Sequence, residues 1–344
     1  MKNNNLRFIM LGTLILMLTF IGACSSDDTS TTKDEKDKYT LKVPHVTQED
    51  DPTHKAWVGF KEEVEEKSEG RIEVEIFPNG QLYDSEREMV EATQRGDIPI
   101  ASVATPPMAN FADSFLIFDL PYLVSDREEA YKVFDVDGEI VESLMEDLDE
   151  IGLEGFGIGE LGFRHILNNE KPITKPEDLK GLKIRVPESE LSQDTFNTLG
   201  ANASPLGFGE VYSALQQGTY DALESTIALT ASTQFYEVQD YFTLASYVYS
   251  GDVIFANKEY MDSLPDDLED VVRKAGENYV SSTRDLVQEE EEKGLEKLRE
   301  EGMEINELSD EEKATFEDSL EPVYDKYEDV IGKELLEMVE DSKE

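Results

Sequence analysis

Arg185 lies in Lys183-Ile184-Arg185-Val186-Pro187, between β-branched residues of the kind that fill a core. A guanidinium there is costly unless something anionic meets it. Its planar fork matches a carboxylate through two parallel hydrogen bonds, which the point charge of a lysine cannot reproduce. Arg185 is therefore read as a cation awaiting an organic acid; the alternative partner is a buried acid of its own part of the fold. Arg164, in Gly162-Phe163-Arg164, is read as a second clamp or as a neighbour that orients the first. Both lie in a basic island: residues 161–187 hold six bases against three acids, in a chain of formal net charge −47.

Downstream, Leu206-Gly207-Phe208-Gly209-Glu210 sets an aromatic on a glycine-flanked turn before a helix. Phe208 is read as closing over the apolar face of a ligand, or as core. Glu210 suits the first turn of that helix, where a carboxylate meets the positive end of the dipole. Ser225 and Thr226 follow a strand and offer hydroxyls to a ligand; the alternative is a solvated loop. No catalytic set assembles. With three histidines and one cysteine, zinc and thiol chemistry have little to work with, no metal or cofactor is expected, and Gly-x-Ser-x-Gly does not occur. Residues 157–162 match the dinucleotide glycine pattern by letter, but an extended segment follows where that pattern needs a helix, so they read as flexible crossover glycines. Asp135-Val136-Asp137-Gly138 looks like part of a calcium loop, but lacks carboxylates at its first and last positions.

The excess of carboxylates argues against nucleic acid and anionic lipid as partners and reads as a surface adapted to high salt. At the N-terminus, Lys2 and Arg7 precede a 13-residue apolar stretch ending in Ile21-Gly22-Ala23-Cys24. That stretch is short for a membrane span and suits a signal peptide. Its end resembles a bacterial lipobox, so residues 1–23 are expected to be removed and Cys24 lipid-modified. A lone thiol cannot form an internal disulfide, which fits that use. Residues 24–38 read as a solvated tether.

These side chains need elements to hold them. Residues 40–46 read as a strand, and Asp51-Pro52 opens a helix striped by Ala56, Trp57, Phe60 and Val64. Alternating Ile72, Val74 and Ile76 form a strand, residues 86–95 a helix and 98–104 an apolar strand; this β-α-β-α-β order predicts a parallel sheet. Helices follow near 126–134 and 139–150. Strands are expected at 153–158, 163–167, 182–186, 220–223, 242–248 and 253–256, with helices near 176–179, 192–199 and 209–217. Residues 265–300 read as one long charged helix, and two more close the chain near 309–327 and 330–341.

Several runs resemble the extracytoplasmic solute-binding proteins of TRAP transporters, the DctP-type family. They are Gly162-Phe163-Arg164, Lys171-Pro172-Ile173, the stretch from Pro176-Glu177-Asp178-Leu179 through Arg185-Val186-Pro187, Leu199-Gly200-Ala201, Glu210-Val211-Tyr212-Ser213-Ala214-Leu215-Gln216-Gln217-Gly218 and Asp221-Ala222-Leu223-Glu224. Asp119-Leu120-Pro121-Tyr122 and Ser263-Leu264-Pro265 agree. The resemblance implies an α/β, two-lobed Venus-flytrap fold of the periplasmic-binding-protein kind, with a long helix bracing both lobes. Lobe I is expected at 39–160 plus about 250–289, lobe II at 161–249 plus about 290–344. It places the carboxylate-binding arginine on Arg185 and a frequent second arginine on Arg164. It draws first-lobe ligand contacts from Thr47 or Gln48 and from 103–106, a segment without an acid, which speaks against a ligand with an amine. Where the family usually has asparagine after the Asp-x-x-Glu run, this chain has Ser225. The implied protein is a monomer, lipid-anchored outside the cell membrane, that captures a small organic carboxylate and hands it to the TRAP permease. The alternatives are a binding protein for an ATP-driven importer or sensor kinase, and an extracellular lyase or hydrolase.

Overall fold

A computed structural model describes residues 38–343; Cys24, the apolar leader and most of the expected tether lie outside the described residues. The described strands are β1 (Tyr39–Pro44), β2 (Ile72–Phe77), β3 (Ile100–Ala104), β4 (Leu153–Asn168), β5 (Lys183–Val186), β6 (Asn202–Pro205), β7 (Ala222–Ser225), β8 (Tyr241–Asn257) and β9 (Glu304–Glu307). The fold is mixed α/β and two-lobed, crossed by the long helix.

Local chemistry explains much of this. Asp51 caps the helix Pro52–Lys67 by accepting from the Thr53 amide at 3.0 Å, and proline occupies its first turn. Ala56, Trp57, Phe60 and Val64 form its buried stripe. Ser85 caps Glu86–Gln94, and Ser309 with Glu312 forms a capping box on Asp310–Ile331.

The sheets depart from the expected order. β1 and β2 pair in parallel as a two-stranded sheet, but β3 pairs antiparallel with β8. The larger sheet runs β3-β8-β4-β7-β5-β6, with β9 beside β8. The partner of β3 is thus about 150 residues away in sequence, a choice made by tertiary packing rather than by local order. The strand pairs expected at 153–158 with 163–167, and at 242–248 with 253–256, are two continuous strands, β4 and β8. They pair antiparallel along most of their lengths, with irregularities at Gly155/Gly157, Glu160/Gly162 and Arg164/Ile166 that bend them without ending them. β6, β9 and the helix Ile227–Ser232 had no strong local signal.

The 35-residue helix Asp266–Glu300 lies against β4. Its first half buries Leu268, Val272, Ala275, Tyr279 and Val280 with Trp57, Phe60 and Val64. Near its end, Leu298 joins a separate apolar cluster with Val211, Leu223, Phe235 and Phe242. The glycines of β4 make this approach possible and are a close-packing seam, not flexible crossover residues. A Cβ at Gly159 would fall 2.2 Å from Thr283 Oγ1, and one at Gly157, whose φ is +135°, would meet Val280 at 3.0 Å. Reciprocally, Gly276 of the helix admits the Phe156 ring. Among the described residues no helix is long and apolar enough to cross a membrane.

Candidate ligand-binding cleft

β5 positions Arg185. Ile184 and Val186 turn into the core, and alternation sends Arg185 to the other face, where it lines a cleft with Glu86, Arg164, Phe208 and Asp252. Its residue is only 3% exposed. Nε and Nη2 donate to the Leu206 carbonyl at 3.0 and 2.6 Å. Among the described residues, no carboxylate comes within ion-pair distance of it. Burial pulls its pKa down to about 10, far enough above neutrality that the charge persists.

Arg164, on β4, lines the same cleft but is already paired. Its Nε donates to Glu224 Oε2, and its Nη2 donates to Glu224 Oε1 at 2.9 Å. Nη1 adds a bond to Ser250 Oγ at 3.3 Å. Burial opposes the charge on Arg164, yet the Glu224 carboxylate outweighs it and the pKa rises. β7 sets this pair by aligning Glu224 with Ile166 of β4. Alternation then turns the next residue, Ser225, to the opposite face: it is buried, does not line the cleft, and its hydroxyl has no hydrogen-bond partner among the described residues. Thr226 is not a loop hydroxyl but the cap of Ile227–Ser232, accepting from the Leu229 amide at 3.3 Å.

The other expected residues divide. Phe208 lines the cleft and meets Phe235 edge to face, ring centroids 6.2 Å apart. Thr47 lines it and bonds His45 Nδ1 at 2.9 Å, while Gln48 does not line it. Of residues 103–106, Ala104 takes part.

Among the lining residues that sequence reasoning missed are three ionisable ones, Glu86, Asp252 and His45. Glu86 Oε1 accepts from the Ala104 amide at 2.8 Å, and burial raises its pKa. Asp252 accepts from the Tyr279 hydroxyl at 2.5 Å, and burial pushes it up to about 7. The Trp57 indole N–H donates to Ser102 Oγ at 3.2 Å, and that hydroxyl lies 3.1 Å from Tyr279, so the network around Asp252 is anchored in the core. Burial, with His54 second, lowers His45 to about 3 and keeps it neutral. Glu86 is the first residue of the helix expected at 86–95 and carries no local mark of the cleft, and Asp252 falls in the gap between the strands expected at 242–248 and 253–256. Cross-bonds close the rim: Ser85 Oγ to Glu188 Oε2 at 2.7 Å, the Gly209 amide to the Asp84 carbonyl at 3.0 Å, and Ser232 Oγ to Asp51 Oδ2 at 2.9 Å.

A shielded cleft with a cation that no carboxylate answers among the described residues suits capture of a small anion, since a charge-assisted pair is strongest away from water. Residues 43–329 match the family described as bacterial extracellular solute-binding protein, family 7 (DctP). The chain belongs to this family. A family 7 relative, the C4-dicarboxylate-binding periplasmic protein DctP of Rhodobacter capsulatus, is 34% identical over 304 residues, covering 87% of this chain and 89% of the relative. The sugar acid binding protein DctPAm of Advenella mimigardefordensis, solved with galactonate, superposes with a TM-score of 0.86 at 32% identity, covering 89% and 98% of the two chains. A TRAP periplasmic solute binding protein of Sulfurospirillum deleyianum, solved with succinate, gives 0.84 at 32% identity over 88% and 99%. This family 7 chain thus combines the two-lobed architecture with a cleft lined by Arg164, Arg185, Glu86 and Asp252.

Proposed function

We propose that this protein is the solute-binding component of a TRAP transporter, taking up a small organic carboxylate outside the cell and delivering it to the membrane permease without chemical change. The observation that carries the reading is Arg185, a buried guanidinium on the cleft whose donors are answered, among the described residues, by the Leu206 carbonyl alone. The similar structures with galactonate and succinate support a carboxylate as the missing partner. Arg164, Phe208 and Thr47 form the surrounding wall. Ligand bridging residues 39–160 plus about 250–289 and 161–249 plus about 290–344 would shift a hinge equilibrium toward the closed form. Cys24 would tether the monomer to the outer face of the membrane, a reading that rests on the lipobox-like run; Cys24→Ser should then release the protein from the cell surface, and retention would sink the anchor.

Calorimetry with galactonate and succinate tests capture. Arg185→Ala should weaken whichever ligand binds by about a hundredfold or more, since truncating one side of a buried charge pair costs about 2–5 kcal/mol. Arg185→Lys should recover only part, because the fork is lost. Unchanged affinity in both variants would exclude the clamp.

A further inference from the structure

The cleft holds acids as well as arginines, and their arrangement narrows the ligand. Arg164 is neutralised by Glu224, which leaves Arg185 as the cleft arginine without a carboxylate partner among the described residues. That is room for one ligand carboxylate. Glu86 and Asp252 line the same space from the helix Glu86–Gln94 and from β8. β8 lies three strands from β5 in the sheet, roughly 14 Å between strand axes, so a ligand seated on Arg185 extends toward the acids.

Resting on the carboxylate-capture reading, the geometry points to a hydroxylated monocarboxylate, with its carboxylate on Arg185 and its hydroxyls donating to Glu86 and Asp252, rather than a dicarboxylate. Carboxylates are acceptors that want donors. Glu86 has one oxygen on the Ala104 amide and no hydrogen bond to the other among the described residues. A second ligand carboxylate would set like charges together in a dry site, so one of the groups would have to take a proton. Hydroxyls meet the same acceptors without that conflict, and neutral Thr47, Ser102 and His45 complete a wall suited to a polyol. An ammonium group answers the acids less well. Each acid is already partly answered, Glu86 by the Ala104 amide and Asp252 by the Tyr279 hydroxyl, so an ammonium with three donors to satisfy finds fewer open acceptors there than it needs. The acids that the segment 103–106 lacks are thus supplied from elsewhere in the fold.

The test is calorimetry on the purified protein with an aldonate set (galactonate, gluconate and erythronate), with succinate, and with 4-aminobutanoate as the amine-bearing monocarboxylate. The tightest aldonate should bind about a hundredfold better than either competitor, because a site built to accept from ligand hydroxyls strongly rejects analogues lacking them. Succinate or 4-aminobutanoate binding as tightly as the best aldonate overturns the inference. It leaves carboxylate capture standing if Arg185→Ala abolishes that binding, and breaks capture as well if it does not. Failure of all three classes to bind a cooperatively unfolding protein counts against both. Glu86→Gln, nearly isosteric, should lower the aldonate-to-succinate ratio about tenfold, with Asp252→Asn acting in the same direction. An unchanged ratio in both folded variants removes the acids from recognition. If neither variant folds, the wild-type ratio decides.

Discussion

Arg164 and Arg185 are both buried, line one cleft and come from neighbouring parts of one sheet, yet they do opposite work. Arg164 is locked by two bonds to Glu224 across the β4–β7 pairing, within a region whose long helix, glycine seam and apolar clusters are closely packed. Arg185 rests its guanidinium on one carbonyl oxygen and faces open space. Burial of a cation therefore does not by itself mark a ligand contact: among the described residues the two arginines differ in whether a protein carboxylate answers them. The pair also explains why two cations can share a cleft: Glu224 offsets one of them, which leaves a single charge for a ligand.

The contrast can be broken most forcefully at Arg164. Arg164→Ala strands a fully buried carboxylate, and loss of one partner of such a pair costs about 3–5 kcal/mol of stability. Replacing both partners, as in Arg164→Met with Glu224→Leu, should recover most of that loss in chemical denaturation. Arg185→Ala strands no acid and should change unfolding far less than it changes ligand affinity. If Arg164→Ala unfolds like wild type, the division of labour between the arginines is wrong.

A smaller effect is expected at the seam. Gly276→Ala brings about 1 kcal/mol of helix propensity, but its new Cβ would lie 2.6 Å from Phe156 Cδ2, and overpacking costs about 1–3 kcal/mol. A net loss of up to about 2 kcal/mol in denaturant titration, with ligand affinity nearly unchanged, would keep frame and cleft separable. A large affinity loss with no stability loss would join them.

A further effect, absent at neutral pH and growing only on acidification, is a pH dependence beside Arg164. His165 follows it on β4, and its Nδ1 accepts from the Ser246 amide at 3.1 Å. Burial, then the charges of Lys313 and Arg164, lower its pKa to about 3. The unfolded imidazole takes a proton below about 6.5 and the folded one only near 3, so the His165 contribution is complete above 6.5 and is lost as pH falls between those values. His165→Gln should flatten that part of the stability–pH curve relative to wild type. Parallel curves from pH 6.5 to 4 would show that the imidazole is not held neutral by the fold.

Legibility followed the range of the forces involved. The helix at Glu139–Glu150 and the turn at Pro176–Leu179 were readable to the residue from stripes and prolines, and the long helix to within one residue. β4 and β8 were each read as two strands because their glycines look like breaks in one dimension. Only the folded structure reveals that Gly157 and Gly159 are spaces for Val280 and Thr283 of the facing helix, and Gly251 a space for Ile158. Likewise, Ser225 and Glu224 could not be ranked from the sequence, since strand pairing alone decides which of two neighbours turns toward Arg164.

By itself the sequence determined most helices, most strand positions, the family, and Arg185 as a cation set among core residues. These follow from side-chain type and spacing over a few residues, where propensity, capping and burial cost act. Tertiary structure decided that Arg164 is spent on Glu224 and that Glu86 and Asp252 share a cleft with Arg185. Those outcomes depend on register between strands and on packing against the long helix, which join residues more than fifty positions apart and leave no local trace.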